Sequence, residues 1–593
     1  MGGRGSPSKG ALRLPRRPPA ALPSFRQPSC THPLPDISIL ESYPTHEFGF
    51  DIGLPNGPNE LRELRQSVHQ SIRSQVGSRF DHAYIGRTVA GTLKQVLEDD
   101  RRLGTILLGI LGALALMHAL IFAPPAYVDD AYISLHNAEV FLSGQPDPNY
   151  AGSPALSGAT SAPHVVLLAL LLLLLPAPWA AWAAGLVGTV LYELGVFRLA
   201  RAVGAPGWLA LLAALLALTP ANLIYQLFNG LETSLALAGV VWALVALADP
   251  SYRSWLPWIL GVLPFLRPEL IVVAGLLGLY AVYLMWRESP SDFAVRFLKF
   301  GSQVVLSAAP WLILYSVETG SPIPATIGAK KSYFAEGCAP PAWKKGAVLV
   351  SLHRATRELG VWLAAVVLSL RTPIGRLLLL FAAVFFASYY INFPGALSHY
   401  ELRYMYVLEP MLIWGLLSTL SDRLPAIRLL SRGLLLLVGL QAAFSVPRAM
   451  ELSLGVRDFA LHDLAGVADW AKEHLPEDSR VMVHDAGYFA YASDFELVDL
   501  VGLKTPKNAA IHRDITLASC GRRRPAAISL IAEQGEASHF VLLAGWDRAF
   551  GITQGLEQQG WQPVLLRDGG QHGYHVLELQ RSPTDHAARP TRM

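Results

Sequence analysis

The chain has 593 residues, of which 52% are hydrophobic and only 16% charged, with mean hydropathy +0.35. A soluble domain carries roughly 25% charged residues, so this composition excludes an ordinary cytosolic protein. The net charge of +3 is too small to indicate nucleic acid as a partner, and Cys30, Cys338 and Cys520 are spaced for neither a zinc site nor a disulfide framework.

Residues 1–100 differ in kind from the rest of the chain. The first 35 or so are rich in Pro, Arg and Ser, as in PRRPPAALPSF, and cannot bury a core. The segment NELRELRQSVHQSIRSQV (59–76) has the pattern of a polar helix. No apolar signal-peptide stretch precedes Leu103, so a cytoplasmic leader is expected.

From Leu103 to Val446 apolar runs recur, and a helix needs roughly 20 such residues to cross the hydrocarbon. About eleven are countable, near 103–123, 179–197, 206–226, 232–248, 254–266, 268–286, 299–317, 358–370, 374–391, 404–420 and 427–446. The extra run 163–175 is short and ends in PAPW, which suits a re-entrant or interfacial helix. Arg101 and Arg102 precede the first span, and no Lys or Arg follows until Arg198. Basic residues then fall at alternate ends of the spans, from Arg198 and Arg201 to Arg423 and Arg428. By the positive-inside rule this predicts a cytoplasmic N-terminus and an extracytoplasmic C-terminus.

The tail is the one soluble domain. DLAGVADWAKEHL (463–475) has helical periodicity, and SRVMVHDA (479–486), SHFVLLAG (538–545) and YHVLELQ (574–580) read as strands. The fold class expected is an α-helical polytopic membrane protein with a small C-terminal α/β extracytoplasmic domain. Its parts are a leader 1–100, a transmembrane domain 101–449, the α/β domain 450–581 and a tail 582–593.

Chemistry-bearing residues gather at the outer ends of the spans. YVDDAYISLHNAEVFLSGQ (127–145) holds Asp129 and Asp130 just beyond the first span. There a low dielectric can raise a carboxylate's pKa towards that of a general base. The plainer alternative is a pair favouring a helix N-terminus. FNGLETSL (228–235) supplies Glu232, and LRPEL (266–270) supplies Arg267 and Glu269. Ionisable groups beside spans are costly and therefore functional candidates, although a helix-start carboxylate and a local ion pair explain them equally simply. Lys330 and Lys331, in ETGSPIPATIGAKKSYF (318–334), lie where positive charge is scarce. They suit the phosphate of a lipid carrier, or lipid headgroups in general. The stretch lacks P-loop spacing, so no ATP site is expected. HYELRYMYV (399–407) adds His399, Arg403 and Tyr404. With no cytosolic catalytic domain evident, a transferase here would need a donor delivered through the membrane, and a polyprenyl-phosphate sugar fits.

Taken in order, VDDAYISLH, NGLETSL, LRPEL, GSPIPATIGAKK and ELRY resemble the motifs of the multi-spanning GT-C glycosyltransferases. The pattern is most similar to the mycobacterial terminal arabinofuranosyltransferase and its bacterial relatives, over roughly 125–410. LVDLVGLKTP (497–506) is similar to a VxDxxGLxxP element of related tails. Two departures stand out. The relatives' VEGxTS stretch reads ALSGATS (155–161), and the usual Arg after the acidic pair is His136. Both changes are expected near the donor or acceptor sugar.

The resemblance implies a sugar transfer from a polyprenyl-phosphate donor to an envelope glycan, lipid or protein acceptor, at the outer face of a bacterial inner or plasma membrane. In that scheme Asp129 or Asp130 takes the acceptor proton. Arg267, Lys330, Lys331 and Arg403 stabilise the departing phosphate, and Glu232 and Glu269 orient sugar hydroxyls or hold those cations. His399 and Tyr404 complete the expected substrate site. No cofactor is expected. Adjacent carboxylates can share a divalent cation, but no third ligand is identifiable, so no metal is expected. His484 and Asp485 are expected to point to opposite faces of a strand, and Cys520 to be inert. A transporter and a non-enzymatic envelope assembly protein are the rival readings. The span middles are nearly charge-free and no internal repeat is visible, which disfavours the transporter.

Overall fold

The structure is a computed structural model that describes residues 99–150 and 152–581. The leader through 98, with its expected polar helix and Cys30, and the tail 582–593 lie outside the described residues.

Helix α1 (Asp100–Ile121) starts at Asp99, whose carboxylate accepts from the backbone N–H groups of Arg101 and Arg102. After it come α2 (Asp129–Ser143), α3 (Ala162–Leu172) and α4 (Ala177–Ala202). The short α5 (Gly207–Ala217), α6 (Leu223–Phe228) and α7 (Thr233–Ala248) follow, then α8 (Leu256–Leu266), α9 (Leu270–Glu288) and α10 (Phe293–Thr319). Beyond them lie α11 (Thr326–Phe334), α12 (Pro341–Leu359), α13 (Ala364–Ser369), α14 (Pro373–Asn392), α15 (Glu409–Leu417) and α16 (Pro425–Phe459).

Among the described residues six helices are long and apolar enough to cross a membrane singly: α1, α4, α9, α10, α14 and the helix running from Pro425 to His474. Several other apolar runs are interrupted for identifiable reasons. The run 206–226 breaks around Pro220, where Ala221 has a positive φ. The run 404–420 opens as a tight 3-10 turn over 403–408 before α15 begins. The expected interfacial run forms α3, eleven residues capped by Ser161. Val305, Leu306, Ile313 and Val317 of α10 are all exposed, as suits an apolar solvent rather than water. Two acids lie inside the bundle where the span middles were expected to be nearly free of charge. Glu193 of α4 and Glu409 of α15 are buried, and Tyr192 donates to Glu409 at 2.6 Å.

Past residue 474 the chain forms a five-stranded mixed sheet of order β2-β1-β3-β5-β4. Its strands are β1 (Arg480–Val483), β2 (Glu496–Asp499), β3 (His539–Leu543), β4 (Trp561–Arg567) and β5 (Tyr574–Arg581). β1 pairs in parallel with β2 and β3, and β5 pairs antiparallel to β3 and β4. The helix expected over 463–475 is present as Ala465–His474, joined to α16 through a π-helical turn over Ala460–Leu464.

Several joints fasten this sheet to the rest of the chain. In the LVDLVGLKTP loop Asp499 accepts from the N–H groups of Val501, Gly502, Lys504 and Thr505. Gly502 has φ +86°, and a Cβ there would collide with the Ala509 backbone. So shaped, the loop carries Lys504 to a fully buried ion pair with Asp147 at 2.7 Å. His136 also bonds Asp147, at 3.0 Å. This places His136 in the joint, where it gives Asp147 a second partner out of water.

The second joint corrects the reading of the cysteines: Cys338 and Cys520 form a disulfide across 182 positions. Their sequence spacing carries no trace of that meeting. In the third joint Arg524 donates to the carbonyls of Tyr333 and Phe334 at 3.1 and 3.0 Å, ending α11 against the sheet domain.

Replacing Lys504 by Met leaves Asp147 buried and without its charge partner, a change that costs about 3–5 kcal/mol. Lys504→Met is therefore expected to lower the melting temperature and to release the sheet domain to trypsin sooner. Adding Asp147→Asn should recover part of the loss.

Candidate active site

Asp130 sits at the first turn of α2 and faces two cations. Arg403 Nη1 donates to its Oδ2 at 2.8 Å, and Lys330 Nζ lies 3.8 Å away. Burial opposes ionisation of Asp130, but Lys330 and Arg403 overcome it and hold its carboxyl well below the usual carboxylate range. The expected shift for a free base was upward, so the resting site differs from that expectation.

Asp129 behaves in the opposite way. Its carboxylate accepts from the backbone N–H of Gly487, at 2.9 Å, and of Tyr488, at 2.7 Å. Burial and the neighbouring Asp485 push its pKa up, and those N–H groups only partly offset them. The adjacent acids thus divide, one serving the sheet domain and the other facing the cations.

Arg403 and Tyr404 are presented by an unusual turn. Tyr400, Glu401 and Leu402 all have positive φ, at 43°, 56° and 61°. Three consecutive L-residues in the left-handed region cost on the order of 1–3 kcal/mol each and persist only where surroundings hold them. Gln226 Nε2 donates to the carbonyls of Tyr400 and Glu401 at 2.8 and 3.3 Å, and Arg354 pairs with the Glu401 carboxylate. Arg354 also bonds Glu358 at 3.0 Å. Gln226, Arg354 and Glu358 lie outside every recognisable motif.

The guanidinium carbons of Arg403 and Arg267 lie 5.0 and 5.3 Å from the Tyr404 ring centre. Lys330 Nζ is 3.3 Å from the Tyr404 hydroxyl. Arg267 is 1% exposed and pairs with Glu269 at 2.7 Å and Glu232 at 3.5 Å. The local pair expected of Arg267 and Glu269 therefore exists, and Glu232 extends it. Arg403 Nε is buried without a hydrogen-bond acceptor, whereas Arg267 Nη1 has the 3.5 Å ion pair with Glu232.

His399 completes this face, 4.0 Å between ring centres from Tyr400. Burial lowers its pKa to about 4, Asp130 opposes that shift, and Lys330 and Arg403 reinforce it. Lys331, next to Lys330 on α11, is exposed and is not drawn into the cluster. Thr160 of the ALSGATS stretch is 3.4 Å from Thr326 at the start of α11. None of the described acids, histidines or cysteines groups in a way that could hold a metal ion.

Asp485 joins the site from the sheet domain. Strand β1 ends at Val483, so His484 and Asp485 escape strand alternation and pair at 3.1 Å, contrary to the expected opposite faces. Tyr574 donates to the same carboxylate at 2.5 Å. A shorter strand was the missing signal, and Gly487 was the only hint of a turn there.

An apolar groove of about 1030 Å³ is walled by α8, α9, α10 and α11, with Pro506, Ala509, Ala510 and Arg513 also lining it. Leu260, Ile271, Leu279, Phe300 and Ile327 line it. Its width comes from small residues on α9. A Cβ on Gly275 would meet nothing within 4 Å.

A family described as "Domain of unknown function (DUF8728)" matches residues 456–578. No curated protein matches the chain. Among solved structures it is similar to the apo oligosaccharyltransferase of Archaeoglobus fulgidus, at 14% identity and TM-score 0.43 over 81% of this chain and 75% of that one. It is similar to ArnT from Cupriavidus metallidurans bound to undecaprenyl phosphate, at 15% identity and TM-score 0.46 over 79% and 97%. It is also similar to the arabinofuranosyltransferase AftD from Mycobacteria, at 16% identity and TM-score 0.41 over 80% of this chain and 40% of that one.

The depressed His399 value carries a pH prediction. The unfolded chain binds a proton at the ordinary histidine pKa of about 6.5, whereas the folded site resists it until about 4. Stability from this residue is complete above about 6.5 and is lost as pH falls from there through 4. His399→Gln should flatten the fall in melting temperature over that interval.

Proposed function

We propose that this chain is a GT-C-like membrane glycosyltransferase, moving a sugar from a polyprenyl-phosphate donor to a hydroxyl of an envelope acceptor. One observation carries the reading: a carboxylate, Asp130, is paired with two cations, and an apolar groove of about 1030 Å³ lies along the helices that carry or flank Lys330 and Arg267. The orphaned donor Arg403 Nε leaves the cationic cluster short of an acceptor, which an anionic headgroup would supply.

In the resting site the cations rest on Asp130. A donor phosphate competes for Lys330 and Arg403, and as they turn to it the carboxylate loses the partners that hold its pKa down. Asp130 then takes the acceptor hydroxyl's proton while that oxygen attacks the anomeric carbon. The bond from the anomeric carbon to the phosphate oxygen breaks, and polyprenyl phosphate leaves with one more negative charge. Lys330, Arg403 and Arg267 meet that charge with fixed positive groups in a largely water-free site. Glu232 and Glu269 keep Arg267 in place.

The topology belongs to the same proposal: about eleven crossings, the N-terminus in the cytoplasm, and the sheet domain outside a bacterial plasma membrane. The Cys338–Cys520 disulfide supports it, because disulfides persist in oxidising compartments. The sugar is a pentose or hexose, with arabinofuranose the first to test. The acceptor is an envelope glycan, lipid or protein.

A transporter is favoured by one observation, the buried Glu193, both of whose carboxylate oxygens lack a hydrogen-bond partner. The two readings separate in one experiment. Reconstituted protein is supplied with labelled polyprenyl-phosphate pentoses and hexoses and crude envelope extract, and sugar release is followed. One donor should turn over, Asp130→Asn should lose on the order of 10²–10⁴-fold in rate, and Glu193→Gln should match wild type. Full activity of Asp130→Asn, or no turnover of any donor by folded protein, overturns the transferase.

The groove is tested separately. Gly275→Phe puts a ring into the groove from a position whose Cβ meets nothing within 4 Å, and is expected to weaken decaprenyl phosphate binding about tenfold, or 1.4 kcal/mol. Inorganic phosphate binding should be unchanged. Unaltered lipid affinity would place the chain elsewhere.

A further inference from the structure

We propose that Asp485, contributed by the C-terminal sheet domain, is the acceptor-binding carboxylate of this site, taking hydroxyl groups of a neutral, sugar-like acceptor. The proposal rests on the transferase reading above and adds to it the acceptor's chemical class.

The placement of Asp485 is tightly determined. The carbonyl of the next residue, Ala486, accepts from the Tyr150 hydroxyl at 2.7 Å. Gly487 gives its N–H to Asp129, and a Cβ on Gly487 would lie 2.1 Å from the Asp129 carbonyl oxygen. The turn 485–487 is thus pressed backbone against backbone on the start of α2, one residue from Asp130. Tyr574 and His484 fix the Asp485 carboxylate itself.

Its surroundings argue against a purely structural role. The His484 side chain is 0% exposed, yet the Asp485 side chain is 21% exposed, comparable with Asp130 at 18% and Lys330 at 26%. It therefore reaches an opening, as the other two do. Burial opposes its charge, but His484 and Tyr574 hold its pKa below the ordinary range despite Asp130 nearby. Contrast Asp499 in the same domain, whose carboxylate is spent on four backbone N–H groups. A second ionised carboxylate near Asp130 costs repulsion that an asparagine would avoid.

The charges then divide the site. Lys330, Arg403 and Arg267 suit an anion, whereas Asp485 repels one and accepts hydrogen bonds from hydroxyls. An acceptor presenting neutral hydroxyls beside the base meets both demands, and a phosphorylated or carboxylated terminus does not.

The test uses the full chain in nanodiscs with two probes, octyl arabinofuranoside or octyl mannoside for the acceptor side and farnesyl phosphate for the cations. Asp485→Asn is expected to weaken glycoside binding about tenfold or more while leaving farnesyl phosphate as tight or tighter, because a negative charge near the cations is gone. Tyr574→Phe, which removes one clamp, should shift glycoside binding in the same direction by less. Unchanged glycoside affinity in Asp485→Asn, equal weakening of both probes, or no glycoside binding by wild type overturns the proposal. Asp485-dependent glycoside binding without any farnesyl phosphate binding would support the subsite and overturn the lipid-phosphate reading instead.

Discussion

The seating of Gly487 on the first turn of α2 is the contact on which the rest of the site depends. Only glycine fits there, and its N–H and that of Tyr488 end on the Asp129 carboxylate. Successive residues of a helix point about 100° apart, so fixing Asp129 against the sheet domain fixes where Asp130 can aim. The neighbouring carboxylate is thereby committed to Arg403 and Lys330. A backbone contact with no side chain of its own thus sets the chemistry of its neighbours.

The cations are positioned with comparable effort. Arg403 follows a left-handed turn that three L-residues would not adopt in isolation, and Gln226 and Arg354 hold that turn from the bundle. Lys330 is held from the other side, since α11 ends on Arg524 and its Tyr333 packs against His512, Trp546 and Phe550. The bundle thus holds the turn that carries Arg403, and the sheet region holds the helix that carries Lys330. The groove differs in kind, being left open where Ala274, Gly275 and Gly278 of α9 stand between larger apolar side chains.

Much of this was legible in the amino-acid order, and the remainder was hidden for physical reasons. Apolar runs marked the helices, because burial in an apolar phase leaves a long compositional trace. Acids and bases at the ends of those runs pointed to one face, where Asp130, Arg403, Lys330, Arg267 and Tyr404 meet. What stayed hidden was every decision made by distant chain. Arg403 reaches Asp130 across 273 positions and Gly487 reaches Asp129 across 358, and no local spacing encodes either. The division of labour between Asp129 and Asp130, the place of His136, and the pairing of Cys338 with Cys520 all fall in that class. Asp485 was hidden by a smaller error: a strand taken three residues too long reversed the direction of its side chain. Strand β4 was missed because Val564, Leu565 and Leu566 lie exposed on an edge and break the alternation that marks a half-buried strand.

The disulfide has a consequence for the order in which the molecule comes into being. Cys338 waits for a partner made 182 residues later, and α11 waits for Arg524, later still. A ribosome therefore delivers the helical bundle well before the lysine of α11 has its anchor. Until residues 487–524 are made, the nascent bundle lacks the segments that seat Asp129 and anchor α11. The order of synthesis thus puts the cations of the cluster in the chain before the contacts that hold them.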